Sequence, residues 1–304
     1  MTLLEAINRK STVKVFQNRR VGDEIFRGIL KFSETLQLPF SPDDVNLEVL
    51  YSCGEIRKQM GVKAPYFLFI YTKNPENGSL NAGFAAEQLS LYLWTKGLGS
   101  RILGFRNDLP GADRRGGYTG TVLAFGWPQS REEMVFGRKG GFEDQKEGKG
   151  WISAVLEQAG IPDGQKKLGN LRLAISQGGI DCYRRRHFFE QKTKSLQDSF
   201  EAGRILAHIF VAAEELWLRL EVISDMEKNR RGERDEYLLT IQEKETAAGR
   251  AGGKHVAYPA SAAETKEYLA GSAVYQCETA GVRRREGQTG RRNHIPQGAA
   301  AQRA

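Results

Sequence analysis

Arg9, Lys10, Ser11, Thr12 and Lys14 crowd together near the start of the chain. Just before them, Leu3, Leu4 and Ile7 keep the spacing of one helical face, which predicts a short first helix closed by the Arg9–Thr12 segment. In the extended chain that should follow, side chains alternate, so Lys10, Thr12 and Lys14 share one side. Cation, hydroxyl and cation on one side can hold a phosphate while the next residue reaches whatever is attached to it. A slip of one residue would put Arg9 and Ser11 in those places. The same residues also fit a solvated basic cluster, and spacing alone leaves both readings open.

A second group opens a helix expected from Asn81 to Lys96, packed by Phe84, Leu89, Tyr92, Leu93 and Trp94. Asn81, Gly83 and Glu87 lie in its first turns. Gly83 has no side chain, so a backbone or a ring could approach it closely. Arg138 and Lys139 form a basic pair in the polar, Gly-rich stretch 129–150, which reads as a surface connection. His208 stands in an apolar helix, where a lone histidine is usually a hydrogen-bonded core residue. His187, His255 and His294 are too dispersed for a metal site. Cys53, Cys182 and Cys277 are scattered and odd in number, against a disulfide framework. Arg184-Arg185-Arg186 and the later arginine runs could meet polyanions. Basic density without a recognised fold or stacking aromatics does not point to a nucleic-acid partner.

The elements that would position these residues are mixed. A helix is predicted from about 22 to 36, and strands from Val45 to Leu50, Ala64 to Thr72 and Thr121 to Phe125. Asn74 to Gly78 reads as a turn, and Gly97 as the left-handed residue that ends the inner helix. A helix from Trp151 to Ala159, a hairpin of Leu171–Ile175 with Gly179–Tyr183, and a helix from about Leu196 to Leu218 follow. The fold class expected is α+β.

The chain has 304 residues, of which 45 are Lys or Arg and 37 Asp or Glu, and 40% are hydrophobic. That composition excludes a chain disordered throughout. No stretch reaches the roughly 18 apolar residues of a membrane span, and a cytoplasmic protein is expected. Residues 226–304 hold 14 Lys/Arg against 10 Asp/Glu, 23 Gly plus Ala, and no Trp or Phe. So little apolar surface does not offset ordering entropy, and this basic tail is expected to be disordered, leaving a folded unit of about 1–225.

In its segment order the chain resembles the nitroreductase family of flavin enzymes, more narrowly the subgroup labelled putative TM nitroreductase. Glu5 to Phe16 matches an opening of the type EAIxxRRSVRxY. Gly61 to Leu68 matches a GVKAPYYL strand, and Asn81 to Gly104 matches NAGFxxEQLxLYLxxxGLGxxxLG closely. Leu123 to Pro128, Arg138 to Asp144 and Gly203 to Leu218 match later segments. The family's LAPSAxNxQPWRF segment falls at Ala159 to Leu171, where only Pro162 is kept clearly.

The resemblance implies a nitroreductase-like α+β fold with a central mixed or antiparallel sheet and packed helices. It implies two related halves, about 1–145 and 146–225. FMN would be the cofactor and NAD(P)H the co-substrate, with hydride passed through the flavin to a nitroaromatic or quinone-like acceptor. Lys10 and Thr12 would bind phosphate or ribityl groups, Lys14 would lie near the flavin N1 edge, and Arg138 and Lys139 would close on the phosphate. Asn81, Gly83 and Glu87 would face the flavin. The chain would act as a monomer with an internal pseudo-dimer or as a homodimer. The departure at 159–171 leaves an alternative, a catalytically degenerate nitroreductase-fold protein that binds flavin or a partner.

Overall fold

An unbroken run of aromatic and β-branched residues from Tyr66 to Thr72 needs cover on both faces. A computed structural model of the protein describes residues 1–40, 45–51, 54–107, 109, 119–129, 150–161, 167–168, 170–175, 179–185, 192–224, 235–244 and 273–275. Within them Tyr66–Thr72 is β2, the central strand of a sheet ordered β10 (Ala273–Tyr275), β1 (Val45–Tyr51), β2, β4 (Thr119–Gly126), β3 (Gly99–Arg106). The pairs are antiparallel except β10 with β1. Tyr66, Leu68 and Ile70 pack in one core with α2 (Asp23–Ser33) and α4 (Pro75–Thr95). Phe67, Phe69 and Tyr71 pack in another, with Ile56 and Met60 of α3 (Gly54–Met60).

A second antiparallel sheet runs β5 (Lys167–Leu168), β6 (Leu171–Ile175), β7 (Gly179–Arg185), β9 (Asp235–Glu243), β8 (Leu220–Ile223). Ile180, Cys182, Leu239 and Ile241 bury one of its faces against α5 (Trp151–Gln158) and α6 (Lys192–Glu215). Both sheets are wired alike. Leaving aside the outermost β10 and β5, each has two strands, a long helix and two more strands in sequence, and the last strand lies between the second and the third. The α+β class expected from the sequence is the class found.

Three expectations are corrected. The folded unit does not stop at 225, because β9 sits between β7 and β8. Its Asp235 and Glu236 pair with Arg172 and Arg184, which fixes the strand's start. Averaged over 79 residues, the tail composition hid a nine-residue strand, DEYLLTIQE. The inner helix begins at Pro75 rather than Asn81. Proline suits a first helical position, and Gly78 is accepted inside because a Cβ there would overlap the Thr72 hydroxyl. Gly99–Arg106, unassigned from the sequence, is edge strand β3. A bulge between Ile102 and Phe105, with Gly104 at φ 79°, breaks its alternation.

α4 and α6 cross backbone to backbone. A Cβ on Gly83 would overlap the Phe200 carbonyl oxygen, and one on Gly203 would overlap the Leu80 carbonyl oxygen. The two helices also end alike. Leu98 N–H donates to the Leu93 carbonyl (3.0 Å) around Gly97 at φ 76°, and Leu218 N–H donates to the Ala213 carbonyl (2.9 Å) around Trp217 at φ 59°. Trp217 is 95% exposed.

Gly83→Ala should lower stability by about 1–3 kcal/mol through overpacking, read as a lower urea midpoint. A left-handed non-glycine residue costs about 1–2 kcal/mol, part of which glycine returns in unfolded-chain entropy. Trp217→Gly should therefore raise stability by roughly 0.5–1 kcal/mol in the same measurement.

Candidate functional site

Helix α1 (Leu3–Arg9) is set by a capping box: the Glu5 N–H donates to Thr2 Oγ1 (3.1 Å) and the Thr2 N–H to Glu5 Oε2 (3.0 Å). Lys10 caps its far end with an extended backbone, and its side chain turns inward. There it forms an ion pair with Glu87 and donates to Ser90 Oγ (2.9 Å). Glu87 and Ser90 lie three residues apart on one face of α4. From α6, Arg204 Nε donates to Glu87 Oε2 (2.9 Å), and His208 Nε2 meets Glu87 Oε1 (3.0 Å). Arg204 also bonds Glu201 (2.8 Å). Ser90 Oγ shares a 2.6 Å hydrogen bond with Ser100 Oγ on β3.

The Glu87 side chain is 2% exposed, Lys10 14%, His208 28% and Arg204 33%. A buried carboxylate, capped by cations that reach toward the surface, is the resulting arrangement. Burial alone pushes the Glu87 carboxyl up. Lys10, then the His208 contact and Arg204, outweigh it and hold the group well below the usual carboxylate range. Burial pulls the Lys10 ammonium below its ordinary value against the attraction of Glu87.

Past Lys10 the chain lies along the start of β3. Thr12 bridges Ser100, and the Val13 N–H donates to the Ser100 carbonyl (3.2 Å). Val13 is buried, while Thr12 and Lys14 are exposed together. Arg9 is exposed and Ser11 half-buried. The expected alternation holds for Thr12 and Lys14, but Lys10 leaves that side because it still belongs to the helix end.

Asn81 and Gly83 are not at this surface. Asn81 is fully buried and its Oδ1 accepts from the Phe40 N–H (3.1 Å), and Gly83 is needed for the helix crossing. Arg138 and Lys139 lie outside the described residues. Arg204 is the residue that sequence reasoning missed, and His208 was read as core. Their spacing of four on α6 was a signal that both face one way. Among the described residues no group of three His, Cys, Asp or Glu could hold a metal ion, and no helix is long and apolar enough to cross a membrane.

Comparison with known proteins adds ancestry to this geometry. The profile of the family described as Putative TM nitroreductase matches residues 2–159. The chain belongs to that nitroreductase family. Among solved structures it is similar to a putative nitroreductase from Thermotoga maritima, at 19% identity and a TM-score of 0.50, over 80% of this chain and 94% of that one. Likeness at that identity speaks for the fold alone, which is the nitroreductase fold. A nitroreductase with bound FMN from Desulfitobacterium hafniense is also similar, at 12% identity and a TM-score of 0.37, over 47% of this chain and 98% of that one. No curated protein matches the chain.

Glu87→Gln leaves Lys10 and Arg204 without their buried counter-charge and should cost about 3–5 kcal/mol at pH 7, measured by urea unfolding. The folded Glu87 titrates below its unfolded value of about 4.3, so its contribution is complete above that pH and fades as pH falls through the folded value. The stability of Glu87→Gln should therefore fall less steeply than wild type below about pH 4.

Proposed function

We propose that the chain is an FMN-dependent oxidoreductase of nitroreductase type, using NAD(P)H and a nitroaromatic or quinone-like acceptor. The observation that carries this reading is the set of donors gathered over Glu87 beside the basic segment. Lys10 gives two of its three ammonium N–H groups to Glu87 and Ser90. Arg204 Nη2 has no acceptor, and His208 Nδ1 no partner, among the described residues. These donors, with exposed Thr12 and Lys14, suit a ligand that carries a phosphate and an acceptor-lined ring.

When bound, FMN supplies the hydride-accepting ring that no side chain of the chain can replace. The protein's share is to bind, orient and exclude water. Lys10, with Arg204 and His208 beside it over Glu87, and the neighbouring Arg9, Ser11 and Thr12 would hold the phosphate end. Lys14 would stand near the ring's pyrimidine edge, where a cation favours added negative charge. Glu87 would keep Lys10 and Arg204 in place as their counter-ion rather than touch the ring. No catalytic acid or base is needed from the chain, so the absence of a triad in the sequence is consistent with the activity.

A second reading, a flavin-binding protein without turnover, is favoured by one observation, the loss of the polar family segment at 159–171. Purified protein given FMN should turn yellow, absorbing near about 450 nm, and should oxidise NADPH or NADH when a nitroaromatic is present. Protein that stays colourless in excess FMN would sink both readings, and yellow protein without turnover leaves the second. Lys14→Ala should weaken FMN by about tenfold, the effect of one charge-assisted hydrogen bond, without lowering the unfolding midpoint.

A further inference from the structure

We infer that each chain holds one flavin, at the Glu87 end of the α4–α6 crossing, and that the symmetry-related end is closed; this rests on the flavin reading above. Because both sheets share one wiring plan, a site built on the crossing could occur twice. The contacts set the correspondence. Gly83 abuts Phe200 and Gly203 abuts Leu80, so both members of the pair are displaced by 120 residues. Contacts that exchange in this way are the mark of a two-fold relation. The helix ends obey the same shift, since Gly97 and Trp217 are the left-handed stops.

Carried through that shift, Glu87 becomes Ala207 and Ser90 becomes Phe210. Arg204 becomes Phe84, His208 becomes Gln88, and Ser100 becomes Leu220. The polar assembly thus has an uncharged twin, apolar at each of these positions except Gln88. Phe84 and Phe210 meet edge to face with centroids 5.3 Å apart. Phe84 and Ala207 are fully buried, and both belong to the core under the second sheet. A phosphate placed there would lose its hydration and gain no cation from these described positions. At the charged end it meets Lys10, Arg204 and His208. Glu87 and Glu201 balance the charges of Lys10 and Arg204, so recognition depends on aimed N–H donors more than on net charge.

The test is a titration of flavin-free full-length protein with FMN, followed by flavin fluorescence, on wild type and four variants. Arg204→Lys and His208→Gln each keep a donor for Glu87 but remove the Arg204 Nη2 group and the His208 ring. Phe210→Leu and Gln88→Ala alter the closed end. One equivalent per chain is expected, weakened tenfold or more by the first two changes and unmoved by the last two. Two equivalents, or one equivalent sensitive only to Phe210→Leu or Gln88→Ala, would overturn the inference. Should no FMN bind, the flavin reading fails. Inorganic phosphate is then titrated while the His208 ring is followed by NMR. Saturable shifts keep a single anion site at Glu87, and an unmoved ring removes it.

Discussion

A carboxylate deep in a protein has to be answered by cations, and Glu87 draws its answer from separate parts of the chain. Lys10 comes from the end of α1, and Arg204 and His208 from α6. Satisfying one buried charge therefore fixes how three helices meet. Ser90 and Ser100 extend the same network to the edge of the first sheet. The course of residues 12–17 follows from this anchor. Past Lys10 the chain is laid on Ser100 and then bonds at Trp127, where the Gln17 N–H finds its acceptor. The exposed position of Thr12 and Lys14 is a result of that path.

Glycine has a comparable role where α4 and α6 touch. The close approach leaves no room for a Cβ on Gly83 or Gly203, and it brings α6 near enough for Arg204 to reach Glu87. Charge and packing agree here, since the contact that requires glycine is the one that lets the carboxylate be buried. The stop signals at the two helix ends meet one geometry with different residues. One uses glycine for a left-handed turn, and the other imposes the same turn on Trp217. The hydrogen-bond pattern is the same at both ends, and only one of them carries the residue best suited to it.

Much of the scaffold was legible in the sequence. β2, β4 and the β6–β7 hairpin announced themselves as apolar runs between turn residues, and Gly97 marked the end of α4 correctly. β3 was not legible, because Gly104 interrupts its period of two. β9 was not, because composition was averaged over a window many times its length. At the site, the basic residues near the start of the chain were visible, but the direction of Lys10 was not. Alternation assumes extended chain from residue 10, whereas Lys10 donates its own N–H back to Ala6 as the last link of the helix. Its partner lies 77 residues away, a separation that local pattern does not reach.

The place of β9 has a consequence for how the chain is made. On the ribosome, the four antiparallel strands of the first sheet emerge early and can close on one another. The second sheet cannot, because the strand that joins β7 to β8 leaves the tunnel only after both. Until then each presents an open row of amide and carbonyl groups awaiting its neighbour. The nascent protein is thus most open to pairing with other chains during the interval between residues 223 and 243.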